Sequence, residues 1–116
     1  QAFKRIKFVQ GDACEMPFKS DEFDLVMTMV SIAQMKQVKE AALKEISRVT
    51  GRHLLNLETF GDVNRSLWRR LTLASRGFFG GNINELQNYQ LSPVWATQDF
   101  PQDALLGLAL VLSRKS

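Results

Sequence analysis

The chain is poor in the residues that staple small secreted domains or bind metals. It has one cysteine, Cys14, and one histidine, His53. A lone cysteine excludes an intramolecular disulfide framework and any Cys-rich metal site. A lone histidine argues against a histidine-based zinc site, so no metal is expected. No apolar run reaches the roughly 18 to 20 residues that a membrane span needs; the longest, Ala104 to Leu112, is the size of a strand. The first residues lack the charged, apolar, small-residue succession of a secretory signal. Charge of one sign is also scarce: 15 Lys and Arg against 12 Asp and Glu leave +3. That falls short of the clustered basic excess of a nucleic-acid binder. These absences predict a soluble, cytoplasmic domain without a membrane span or a nucleic-acid partner.

What is there suits one folded domain: 116 residues, 45% of them hydrophobic and 23% charged. Ile6 to Val9 is a short β-rich run ended by the turn residues Gln10, Gly11 and Asp12. Phe23 to Val30 (FDLVMTMV) is nearly continuous in apolar residues, which predicts a strand buried on both faces. From Gln37 to Val49 the period changes, and Val38, Ala42, Ile46 and Val49 form one helical stripe, with Gly51 in the usual stop position. His53 to Phe60 reads as a third strand. Asn64 to Arg76 reads as a helix with Leu67, Leu71 and Ala74 on one face. A break at Gly77 to Gly81 precedes a short helix from Asn82 to Asn88. Pro93 to Phe100 and Leu105 to Ser113 close the chain as a hairpin. Strands alternating with helices predict an α/β domain with a parallel sheet.

Three segments carry the chemistry: GDACEMPF (Gly11 to Phe18), FDLV (Phe23 to Val26), and LKEISRV (Leu43 to Val49) leading into HLLNLE. Their succession resembles the class I S-adenosylmethionine-dependent methyltransferases, in particular the small-molecule branch that includes ubiquinone and menaquinone biosynthesis enzymes. The resemblance covers about residues 5 to 60. It implies a Rossmann-like, mostly parallel sheet with helices on both faces and a C-terminal antiparallel hairpin, in the strand order 3-2-1-4-5-7-6. It also implies that Gln1 lies just before the third strand. Residues 1–116 are then the C-terminal part of a single domain of roughly 200 residues, incomplete at the N-terminal side. Two strands would be missing beside FDLVMTMV, leaving a central edge open to self-association.

The resemblance further implies that S-adenosylmethionine is the cofactor and that Asp12, Ala13, Cys14, Thr28 and Met29 bind it. Asp12 would accept a hydrogen bond from the adenine amino group, and the backbone N–H of Ala13 or Cys14 would reach a ring nitrogen. Met16 and Phe18 would wall the base. Met29 stands where a small polar residue is usual, which leaves only backbone contacts there. Ala33 and Gln34 replace a frequent polar pair, so no catalytic base is assigned. The turn after Arg-Val is shortened to Thr50-Gly51-Arg52. The seven glycines form no Gly-x-Gly turn behind a strand, and no acidic residue is placed for the ribose.

Plainer accounts exist for several residues. Asp12 suits a turn-capping aspartate, Met27, Met29 and Cys14 suit core filler, and Asp24 suits a structural carboxylate. Glu58 and Asp62 suit a solvated rim, and Arg65, Arg69, Arg70 and Arg76 a charged helix face. The expected function is methyl transfer to a small-molecule acceptor, apolar or aromatic in view of Trp68, Phe78, Phe79 and Tyr89. The alternative is a non-catalytic methyltransferase-like interaction module.

Overall fold

The computed structural model of the chain describes residues 5–32, 35–58, 83–98 and 108–116. Four strands form its sheet: β1 (Phe23–Met29), β2 (Thr50–Glu58), β3 (Leu91–Thr97) and β4 (Ala109–Lys115). Their order is β1-β2-β4-β3. β1 and β2 run parallel and are joined through a 3-10 turn (Lys36–Val38) and helix α1 (Lys39–Val49). β4 is antiparallel to both of its neighbours. The fold is α/β, and this order equals the last four positions, 4-5-7-6, of the sheet that the motifs imply.

An 11-residue helix such as α1 is marginal in water on its own. Its stability comes from the face it buries: Ala42, Leu43, Ile46 and Val49 are all buried. Leu43 and Ile46 pack with Leu54 of β2, Val111 of β4, and with Leu86 and Leu91. Each large side chain contributes about 1.5–3 kcal/mol of transfer free energy. The expected stripe therefore holds at Ala42, Ile46 and Val49, while Val38 falls in the 3-10 turn and is exposed.

Gly51 does not stop the helix. α1 ends at Val49 and β2 begins at the next residue, Thr50, whose Oγ1 donates to Ile46 O at 2.6 Å. Gly51 lies inside β2, where an added Cβ would stand 2.8 Å from Asp21 O and 3.1 Å from Phe23 O. The glycine admits close passage of the backbone entering β1.

Two further expectations change. Ile6 to Val9 forms no strand, and Phe8 is 90% exposed. In the order that the motifs imply, two strands stand between this run and β1, and neither is among the described strands, so the run has no partner beside it. β1 is buried on one face only: Thr28 points inward, while Leu25, Met27 and Met29 are exposed. The reason is that α1 and a 3-10 helix (Ile83–Tyr89) both pack on the Leu54 and Val111 side. Register places Met27, Leu55, Leu112 and Trp95 in one row of the opposite face.

The C-terminal hairpin forms as an antiparallel pair, with Pro93 on the edge strand, where its missing donor is tolerated. The short helix expected near Asn82 is the 3-10 helix. The helix expected over 64–76, the glycine break and the hairpin loop lie outside the described residues.

Candidate cofactor-binding site

Open α/β sheets bind ligands beyond the carboxyl ends of their strands. Two loops meet there. The first contains Asp12, whose Oδ1 accepts from Cys14 N at 2.8 Å while Glu15 N donates to Asp12 O at 3.0 Å. Asp12 thus caps its own turn, as the plainer account has it. Its Oδ2 takes no part in that bond, and the residue is exposed.

The exit of this turn is fastened to α1. Met16 N donates to Glu45 Oε2 at 2.5 Å, and Arg48 Nη2 donates to Met16 O at 3.1 Å. Arg48 also grips Glu45 with two nitrogens, Nη2 to Oε2 at 2.9 Å and Nε to Oε1. The Arg48 bond, helped by the Met16 N–H and opposed by burial, holds the Glu45 carboxyl down to about 2. Burial and the nearby Asp12 carboxylate push the Cys14 thiol up, away from a reactive thiolate.

The second loop follows β1. Val30 adopts φ 49°, a left-handed conformation that a β-branched residue rarely takes. Three hydrogen bonds hold it there. Val30 N donates to Leu57 O at 2.8 Å, and Ser31 N and Ile32 N each donate to a Glu58 oxygen at 3.2 Å. Glu58 is fully buried, so its expected place on a solvated rim is wrong: the carboxylate lies beneath the turn and serves its amides. Bonds of this charge-assisted kind contribute about 1.5–3 kcal/mol each, enough to hold one strained residue. No sequence signal distinguished Glu58 from an exposed loop acid.

Along β1, from Phe23 to Thr28, lies a cavity of about 430 Å³ that Ala13, Met16, Phe18 and Ser31 border and that Ile46 and Val49 of α1 back. A smaller one of about 220 Å³, bordered by Val9, Gly11 and Asp12, shares Ala13, Met16 and Phe18 with it. Phe18 is held edge-on against Phe23, ring centres 5.0 Å apart. Ala13 lines both cavities, whereas Asp12 borders only the smaller and Thr28 only the larger. Thr28 is buried, its Oγ1 accepting from Asn56 Nδ2 at 2.6 Å. Cys14 and Met29 line neither cavity, and Met29 faces the open side of the sheet. Tyr89 packs against the core. Ala33, Gln34, Asp62 and the four arginines lie outside the described residues. Among the described residues no cluster of His, Cys, Asp and Glu could hold a metal, and no helix is long and apolar enough to cross a membrane.

The fold is one shared with solved structures of S-adenosylmethionine-dependent methyltransferases. A family model described as a methyltransferase domain matches residues 1–53. A crystal structure of a methyltransferase from Methanosarcina mazei aligns with a TM-score of 0.62 at 12% identity, covering 90% of this chain and 65% of that one. A Thermotoga maritima methyltransferase, described as a possible histamine N-methyltransferase, aligns at 0.64 and 15% identity, covering 99% and 67%. The cyclase SpnF aligns at 0.66 and 17% identity, covering 97% and 56%. The chain thus spans between about half and two thirds of the length of these structures. At such identities the likeness is one of methyltransferase fold. Among curated proteins none matches the sequence.

The methyltransferase cofactor can be tested against the smaller cavity. An adenine needs a flat apolar slot with an acceptor at its rim. Met16 and Phe18 line the slot and Asp12 borders it. The residues present fit the adenine end of S-adenosylmethionine.

Proposed function

We propose that this chain carries the adenine side of the cofactor site of a methyltransferase acting on a small, apolar or aromatic acceptor. The observation that carries the proposal is the small cavity that Asp12, Ala13, Met16 and Phe18 line together. Asp12 Oδ2 accepts from the adenine amino group, and the Ala13 backbone N–H meets a ring nitrogen. Met16 and Phe18 exclude water from the base. Bound S-adenosylmethionine supplies an activated methyl group, so positioning in a dry pocket furnishes much of the rate without a dedicated base. The family's glycine-rich loop and ribose carboxylate would lie beyond the edge of β1 that no described strand covers. The motif pattern further supports placement in the ubiquinone and menaquinone branch.

Calorimetric titration of the natural protein with S-adenosylhomocysteine is expected to give saturable heat. Asp12→Ala should weaken binding about tenfold, equivalent to about 1.4 kcal/mol for one lost hydrogen bond. Absence of heat from the unaltered protein would reject this function.

A further inference from the structure

The Asp12 turn closes on itself and reaches the rest of the molecule through Cys14, whose Sγ donates to Val38 O at 4.0 Å, and through its exit at Met16. Its internal bonds run from Cys14 and Glu15 back to Asp12. On its entry side, residues 6–10 are exposed and outside any strand. On its exit side stands Met16, a wall of both cavities. Both backbone polar groups of Met16 are taken by one side-chain pair from α1, the N–H by Glu45 and the C=O by Arg48. Arg48 reaches further, its Nη1 lying 3.4 Å from Ser20 Oγ.

We propose that Glu45 and Arg48 are positioning residues that set the place of the adenine loop, and through it the affinity for the adenosyl ligand. The inference rests on the cofactor reading above and adds a task that neither residue's charge or helical position announces. Neither side chain needs to touch the ligand. The guanidinium fork keeps the Glu45 carboxylate aimed at the Met16 amide and spends a remaining donor on the Met16 carbonyl. The Met16 N–H belongs to the peptide unit before the residue and its C=O to the one after, so the pair restrains the planes on both sides of the Met16 Cα and with them the direction in which Met16 faces the cavities. Lysine cannot copy this arrangement, because it lacks a planar fork.

The test combines two readouts on Arg48→Met and Arg48→Lys. Amide exchange at Met16 in this chain reports the clamp without any ligand. It should quicken at least tenfold in Arg48→Met, and by less in Arg48→Lys, while exchange within β2 and β4 stays unchanged. In the natural protein, the Kd for S-adenosylhomocysteine should rise about tenfold in Arg48→Met. The KM for S-adenosylmethionine should rise with it, and kcat at saturation should stay within about twofold.

Unchanged Met16 exchange overturns the clamp. Faster exchange with an unaltered Kd overturns its role in affinity, as does a fall in kcat without a change in KM. If the unaltered protein binds no S-adenosylhomocysteine, the cofactor reading fails and the positioning claim falls with it, whereas the exchange result still judges the clamp by itself. Should Arg48→Met fail to fold, Arg48→Lys carries the same comparisons.

Discussion

Glycine 51 shows how one missing side chain sets the geometry at the base of the sheet. It lies in a strand, where glycine is ordinarily a weakness, and its reason is the backbone of Asp21 and Phe23 pressed against it. Gly51→Ala would bring a methyl group to 2.8 Å from a backbone oxygen that cannot swing aside. The expected cost is about 1–3 kcal/mol, the usual penalty of overpacking, seen as a lower denaturant midpoint with an unchanged slope. At this scale the sequence was partly legible. The turn that Asp12 caps was legible in the GDACEMPF segment. Glu58 was not, because burial of a carboxylate depends on where the turn after β1 brings its amides. Met29, expected to meet the cofactor through its backbone, carries its side chain on the face opposite Thr28.

Among the elements, α1 shows what an apolar stripe reveals and what it hides. Its stripe located the core face, because burial follows the helical period. Glu45 and Arg48 lie off that stripe, and only the fold brings the 12–16 loop over them. Their pairing makes the attachment sensitive to acid. The folded Glu45 carboxyl titrates near 2, below its ordinary 4.5, so it binds its proton less readily in the folded state. Its contribution is fully present above about 4.5 and is lost as pH falls from there toward 2. Met16 amide exchange, corrected for its intrinsic pH dependence, should therefore gain between pH 4.5 and 2, and Glu45→Gln should flatten that response. A flat profile in the unaltered chain would contradict the assignment.

For the whole molecule, the sheet order was legible once the motifs were read together, whereas the missing cover of β1 was legible only as a gap in that order. β1 pairs with one described strand, and its Leu25, Met27 and Met29 are more than half exposed. Such an edge invites pairing with another chain, and charged side chains discourage it. The isolated 116 residues should accordingly grow in scattering mass with concentration, and Met27→Lys should suppress that growth. Constant monomer mass in the unaltered chain would show that the edge is already closed.

The direct passage from Val49 to Thr50 has one more consequence. No spacer residue separates α1 from β2, so the rotational phase of the helix is geared to the pleat of the strand. One inserted residue at this joint would turn α1 by about 100°. Glu45 and Arg48 would swing away from Met16 even though every side chain survived. A joint of that kind accepts substitutions and resists changes of length, so the adenine loop depends on a residue count as firmly as on residue identities.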